Sequence, residues 1–400
     1  MSKIEELILQ FCPNGVEQKR IKDVFKRIKG TPITAGKMKE IQSTSGEIKV
    51  FAGGRTVVNA KEIDIPNANI TRVPAVLVQS RGVIDVVYFD RPFTFKNEMW
   101  AYTNNEQVTV KYLYYYLKNN IQYFRDQASG MGSLPQISLP TTEEFQIPVP
   151  PLEIQHEIVK TLDLFTTLEA ELEAELEARK MQYTHYRDCL LGFEGKEVEW
   201  KTLGELGEFI RGNGLQKKDF TESGVGCIHY GQIYTHYGSS ATKTKTFVSP
   251  DLAKKLKKAR KNDLIIAGVS ENVEDVCKAV VWLGDEDICI SGDAFIFRHK
   301  QNPKYIGYLL QTKSFLEFKK KYAQGAKVTR LQSGRLPQFK VPIPSLNEQE
   351  RIASILEKFD ALVNDISIGL PAEIQSRRKQ YEYYRNRLLT FKCLNHDLQD

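Results

Sequence analysis

The side chains of this chain best suited to chemistry are arginines, amides, histidines and lysines set beside glycine. Gly30-Thr-Pro-Ile-Thr-Ala-Gly36-Lys37-Met38 comes near a phosphate-binding loop but fails twice. Five residues separate its glycines where that loop has four, and Met38 stands where Ser or Thr would bind magnesium. His229 and His236 share a glycine-rich segment without partner cysteines, so surface or nucleic-acid contact is favoured over metal. No GxSxG, HExxH or (Asp/Asn)-Pro-Pro-(Tyr/Phe) element occurs. What remains is the chemistry of a polyanion. Phe51-Ala-Gly-Gly-Arg55, Gln79-Ser-Arg-Gly82 and Tyr230-Gly-Gln-Ile-Tyr-Thr-His-Tyr-Gly238 place Arg, Gln and His where base edges could be read. The base-contact candidates are Arg55, Arg81, Gln232, His236, Lys243 and Lys245. Gln79 and the patch Lys254, Lys255, Lys257 and Lys258, with Arg260 and Lys261 beside it, complete the set. A lysine run alone is often just a solvated face; this one gains weight from the segments around it.

The distribution of charge sharpens that reading. The whole chain carries +6 from 56 basic and 50 acidic residues. Residues 1–151 hold +4 and 194–345 hold +8, whereas 152–193 hold −5 and 346–400 hold −1. The basic parts are therefore the ones expected to face a polyanion. Four hundred residues exceed one hydrophobic core, so several domains are expected. Six cysteines without a CxxC pair argue against a disulfide framework or zinc site and fit a reducing cytoplasm. The acidic start, MSKIEELILQF, is not expected to be a signal peptide, and no window reads as a membrane span.

The elements that must position these residues are duplicated. Phe145-Gln-Ile-Pro-Val-Pro-Pro-Leu-Glu-Ile-Gln155-His-Glu-Ile158 recurs as Phe339-Lys-Val-Pro-Ile-Pro-Ser-Leu-Asn-Glu-Gln349-Glu-Arg-Ile352. Arg179, Gln182-Tyr183, Tyr186-Arg187, Leu190-Leu191 and Phe193 recur as Arg377, Gln380-Tyr381, Tyr384-Arg385, Leu388-Leu389 and Phe391. Val198-Glu-Trp-Lys201 echoes Val16-Glu-Gln-Lys19. The chain reads as lobe, arm, lobe, arm. Expected boundaries are 1–151, 152–193, 194–345 and 346–391, with a tail at 392–400.

Each arm reads as a helix entered from a proline-rich extended segment. Heptad positions include Gln155, Ile158, Leu162, Phe165, Leu172, Leu176, Tyr183, Tyr186 and Leu190 in the first arm. In the second, Ile352, Leu356, Phe359, Val363, Ile366 and Leu370 keep one phase, which then jumps by four to Ile374, Tyr381, Tyr384 and Leu388. Gly369 and Pro371 at that stutter predict a kink or break. The stripes favour arm packed on arm; each arm packed on its own lobe is the alternative. Leu168-Glu-Ala-Glu, Leu172-Glu-Ala-Glu and Leu176-Glu-Ala form a repeat whose unit advances a helix by about 6 Å. Within the lobes, Ala75–Val78, Val83–Phe89, Leu264–Val269, Ala279–Leu283 and Ala294–Arg298 read as strands. Lys111–Asn119, Ile121–Asp126, Pro303–Gln311 and Ser314–Tyr322 read as helices. The fold class is α+β, twice over.

The paired FxIPxPPLxxQxxI and RKxQYxxYRxxLLxF elements resemble the specificity subunits of type I restriction–modification systems. The second copy departs in having Ser345 for a proline. The resemblance implies two tandem target-recognition domains separated by two long antiparallel coiled-coil helical arms, related by a pseudo-two-fold. It implies a non-catalytic subunit in which each lobe reads one half of a bipartite, asymmetric site in double-stranded DNA. The arms would set the spacer and dock two modification (methyltransferase) subunits, through which restriction subunits join. Arm–arm or subunit contacts then fall to Ile158, Leu162, Phe165, Leu172, Leu176, Tyr183, Tyr186, Leu190, Ile352, Leu356, Phe359, Tyr381, Tyr384 and Leu388. The chain itself would hold no cofactor; S-adenosylmethionine, ATP and magnesium belong to the partners. A self-sufficient methyltransferase, a coiled-coil DNA-binding adaptor and a subunit of a methylation-only complex are the competing readings.

Overall fold

The structure is a computed structural model describing residues 3–54, 56–130, 134–193, 195, 197–325, 327–332, 334–365 and 367–394. The chain forms two compact units, Met1–Ala170 with Ser376–Asp400, and Glu171–Gln375. Each unit thus joins one lobe to the start of one arm and the end of the other.

In the first unit, the valine-rich strand Ala75–Gln79 is buried on both faces. It lies between Trp100–Thr103 and Asp85–Phe89 in an antiparallel sheet that Lys26–Lys29 completes. Helices Gln107–Asn119 and Ile121–Asp126 contribute Val110, Leu113, Leu117 and Phe124 to a core with Val76, Val78 and Val86. A second sheet orders Val57–Ala60, Ile48–Phe51 and Phe93–Phe95, the last two parallel. The two motifs noticed in the sequence pair with each other. Gln146–Pro148 runs antiparallel to Gln18–Arg20 in a two-stranded ribbon that tolerates the missing proline N–H.

The second unit repeats the plan with one more strand in each of the two main sheets. Leu264–Ala267, fully buried, lies between Ala294–His299 and Ala279–Trp282, with Gly207–Arg211 and Ser240–Ala241 at the edges. A four-stranded sheet holds Val225–Ile228 parallel to Ile288–Ile290. Glu199–Thr202 pairs antiparallel with Lys340–Ile343, the second copy of the motif ribbon. Helices Pro303–Leu309 and Lys313–Tyr322 close the lobe.

The arm helices begin where the prolines end. Leu152–Gly192 is one unbroken helix; Leu346–Asn364 and Leu370–Leu388 form the second arm, broken at the stutter. A Cβ on Gly369 would lie 2.4 Å from the Ala361 carbonyl oxygen, so the chain folds back too tightly for a larger residue. Ile366 lies outside the described residues. Gln155 and Gln349, polar at heptad positions, are 2% and 0% exposed. Their Nε2 groups donate to Pro150 O (2.7 Å) and Pro344 O (2.9 Å), which explains why the motif carries glutamine there.

Both packing modes expected of the arms occur. In the first unit, Ile158 and Leu162 share a core with Tyr112 and Tyr115 of the lobe and Leu389 of the second arm. Tyr381 and Leu388 pack against that core. Lys111 Nζ and Tyr115 Oη both bind Asp163, at 2.7 and 2.5 Å. Phe165 meets Tyr381 and Tyr384, and Arg378 Nε donates to Glu169 at 2.5 Å, so the helices run antiparallel. In the second unit, Tyr183, Ile352 and Leu356 are buried in the lobe's own core, with Leu176, Leu190 and Phe359 packed against it. Lys304 pairs with Glu357 there, the counterpart of Lys111 with Asp163. Leu172 is half-buried. The second arm's end also returns to the chain start: Val16 N donates to Lys392 O (2.8 Å) and Leu394 N to Val16 O (3.1 Å).

Candidate nucleic-acid interface

Each lobe gathers glycine-rich loops at the carboxyl ends of its parallel strand pair. In open sheets such ends are where ligands find room and unpaired backbone groups. In the first lobe, Phe51 and Phe95 are register partners, and Ala52–Gly54 comes directly after the first of them. Gln79 Nε2 donates to Gly54 O at 3.1 Å, and Gly54 N donates to Arg81 O at 3.2 Å. The two segments singled out in the sequence therefore form one surface. Gly82 turns the chain beside Gly54 at φ +81°, a left-handed conformation that favours glycine. Arg81 is exposed and bridges Gln136 on the backbone. Gln79 is only 6% exposed and its amide is spent holding Gly54, so it shapes the loop and does not face outward. Arg55 lies outside the described residues.

In the second lobe, Ile228 and Ile290 are the matching register partners. His229–Gln232 and Ser291–Asp293 continue from them. Gly212 crosses this end so closely that a Cβ would lie 2.1 Å from Ser291 O, as Gly30 crosses Phe95 O in the first lobe. Gln232 caps the short helix Tyr230–Thr235: its Oε1 accepts from His229 N (2.9 Å) and its Nε2 donates to Thr246 Oγ1 (3.1 Å). Like Gln79, it is committed inside the lobe. His229 is buried; its Nδ1 accepts from Gly231 N, and desolvation, then Lys217, pushes the imidazole pKa below its ordinary value. It therefore serves as a neutral acceptor.

The lysine patch adjoins this surface: Lys258–Ala259 pairs antiparallel with Ile288–Ile290, and Ile290 N donates to Lys257 O at 3.2 Å. Asn213 Nδ2 donates to Lys255 O (2.9 Å), and its Oδ1 accepts from Lys257 N (2.7 Å). Lys254, Lys255, Lys257 and Lys258 are all exposed, with Lys254 Nζ 2.9 Å from Asp251. Lys243 and Lys245 are also exposed; Lys245 is anchored by its own N–H to Tyr237 Oη at 2.8 Å. His236 is set apart. It is exposed at the end of helix Tyr230–Thr235 and lines a cleft of about 870 Å³ whose carboxylates are Glu274, Asp275, Glu357, Asp360 and Asp365. Lys278 and Lys319 line it too, so its carboxylates outnumber its cations five to two and phosphate is disfavoured beside His236.

Sequence reasoning missed three residues here. Asp293 Oδ1 lies 3.9 Å from Arg211 Nη2 and 3.9 Å from Arg330 Nη2, joining three separate segments. In the first lobe Glu98, three residues beyond its strand as Asp293 is, pairs instead with its near neighbour Lys96 at 3.0 Å. Arg211 and Arg330 belong to no local motif, and only the sheet order brings them together. A cation also fixes the loop after the central buried strand in both lobes. Arg125 Nε donates to Ile84 O at 3.2 Å, and buried Lys319 donates to Glu274 O and Val276 O at 2.5 and 3.0 Å. Burial lowers the Lys319 pKa, yet the two carbonyls supply the partners a buried ammonium needs. Among the described residues no group of three or more His, Cys, Asp or Glu could hold a metal, and no helix is long and apolar enough to cross a membrane.

Comparisons with known proteins agree with this duplicated arrangement. The family described as "Type I restriction modification DNA specificity domain" matches twice, over residues 13–178 and 195–376. The EcoR124I/EcoR124II specificity subunit of Escherichia coli is 34% identical over 295 residues, covering 72% of each chain. A putative type I restriction enzyme specificity subunit of Haemophilus influenzae is 29% identical, covering 75% of this chain and 77% of its own. In fold, the chain is similar to a type I restriction–modification S subunit from M. genitalium, with TM-score 0.57, 18% identity and coverage of 93% and 96%. The two matched segments span most of the 400 residues, and the chain belongs to the type I restriction–modification specificity subunit family, with two tandem specificity domains.

Proposed function

We propose that each lobe reads one half of a bipartite double-stranded DNA site, and that the chain chooses the site without catalysing a reaction on it. The observation that carries this reading is the pair of equivalent loop clusters, one per lobe, at the ends of the parallel strands. Exposed cations line them: Arg81 in the first lobe, and Arg211, Arg330, Lys255 and Lys257 in the second. Lysines there would neutralise phosphates while Arg and amide groups address bases. The lobes differ in sequence, so the two halves of the site need not match.

The arms would separate the lobes and dock two methyltransferase subunits, through which restriction subunits join in the cytoplasm. Exposed apolar side chains along them support a docking role: Leu164 is 59% exposed, Met181 70% and Tyr383 58%. S-adenosylmethionine, ATP and magnesium would be bound by those partners.

The test is a reconstitution. The purified chain alone should leave DNA unmodified. Added to its methyltransferase partner, it should impose one bipartite motif. Methylation of DNA by the isolated chain in the presence of S-adenosylmethionine would refute the non-catalytic reading.

A further inference from the structure

The two lobes present one equivalent hairpin each. In the second lobe Gln324 pairs with Arg330 beyond Gly325, which sits at φ +107°. In the first, Ser129 pairs with Gln136 beyond Gly130, at φ +126°. Both hairpins are tied to the loop after the central buried strand, by Ser270 to Thr329 and by Arg81 to Gln136. Arg330 and Gln136 therefore hold the same pairing position in their hairpins beside the candidate interface, with Thr329, the neighbour of Arg330, making the tie to the loop in the second lobe.

Among the described residues, their side chains are also left uncommitted. The Arg330 side chain is 60% exposed, and its nearest ion-pair partner, Asp293, stands 3.9 Å away, beyond hydrogen-bond distance. Arg211 shares that carboxylate oxygen, but its Nε already donates to Gly292 O at 3.0 Å. Asp293 thus holds two guanidinium groups in one place without saturating the fork of Arg330. Gln136 is exposed, and its amide makes no hydrogen bond to another described residue. Gln79 and Gln232, by contrast, are spent inside their lobes.

Resting on the reading of the lobes as DNA readers, we propose that Arg330 and Gln136 are specificity-determining residues, Arg330 selecting a guanine in one half-site and Gln136 an adenine in the other. The guanidinium fork matches the O6 and N7 acceptors of guanine, and the amide matches the N6 donor and N7 acceptor of adenine, both in the major groove.

The experiment maps methylation motifs made by the full chain with its methyltransferase partner. Arg330→Gln should reduce discrimination at a single G·C pair of one half-site about ten- to a hundred-fold, leaving the other half-site and the spacer unchanged. Gln136→Ala should do the same at one A·T pair of the other half-site. Arg330→Lys keeps the charge but not the fork, so it should lose guanine discrimination while keeping the salt dependence of binding. Uniform weakening with an unchanged motif would make these phosphate contacts and overturn the proposal, as would relaxation at a different base. Exchange of residues 194–345 for another member's lobe separates the two levels. If that exchange alters one half-site while Arg330→Gln alters none, this proposal fails and the lobe reading stands. If the exchange alters neither half-site, the lobe reading itself fails.

Discussion

Phe165 of the first arm stacks on Tyr384 of the second, with ring centroids 5.5 Å apart and planes 22° from parallel. Within the other unit, Tyr186 stacks on Phe359 at 5.8 Å and 29°. Phe165 and Phe359 are repeat equivalents, as are Tyr186 and Tyr384, so one contact is made twice with the arms exchanged. Phe165→Ala should destabilise the first unit by about 2 kcal/mol. A double-mutant cycle with Tyr384→Ala in urea denaturation should return a coupling of about 0.5–1.5 kcal/mol. Strict additivity would show that the stack contributes nothing beyond burial.

The two motif glutamines should differ in what their loss costs. Gln349 donates to Pro344 O and Gln301 Oε1 and accepts from Asn302 N at 3.0 Å. Among the described residues, Gln155 makes only the bond to Pro150 O, and its buried Oε1 has no partner. Gln349→Ala should therefore cost roughly 2–3 kcal/mol and Gln155→Ala about 1 kcal/mol in chemical denaturation. Equal losses would mean that the extra bonds carry no net stability.

His299 predicts a pH dependence. Burial pushes its pKa down to about 4, against the opposing charge of Asp263. Its Nδ1 accepts from Gln301 N at 3.1 Å, while its buried Nε2 has no partner among the described residues. The unfolded imidazole takes a proton near pH 6.5. Stability from keeping His299 neutral is thus fully present above that pH and falls as pH drops toward 4. The loss amounts to roughly 3 kcal/mol at most. His299→Gln should flatten the change in denaturation midpoint between pH 7 and pH 4.5; an unchanged slope would place the titration elsewhere.

Much of this fold was legible because its pattern is periodic or punctuated. Prolines 148, 150 and 151 mark where Leu152–Gly192 begins, and Gly369 with Pro371 marks where the second arm breaks. The strand at Ala75 and the helix at Ile121 track their apolar runs. The interface was less legible, because base-reading side chains and cap-forming side chains are the same types. Gln79 and Gln232 look like readers in the sequence and prove to be internal struts, whereas Gln136 sits in a segment with no apolar rhythm to place it. His236 stands out in the sequence through its glycine-rich, aromatic segment, whereas the fold sets it in a cleft lined mainly by carboxylates from distant segments.

The Leu-Glu-Ala-Glu repeat lies inside the unbroken first arm, with Glu171, Glu173 and Glu175 exposed. Deleting residues 172–175 removes about 6 Å of helix and rotates the remainder of the arm by only ~40°. The preferred unread spacer of the DNA site should shorten while both half-sites stay as they were. Motif mapping of the deletion variant checks this, and an unchanged spacer would contradict it.

The most direct measurement is long-read mapping of modified bases in cells expressing the chain with its methyltransferase, before and after residues 1–151 are exchanged for another member's first lobe. One lobe reading one half-site predicts that a single half of the motif changes while the other half is retained. A motif altered in both halves, or in neither, would contradict it.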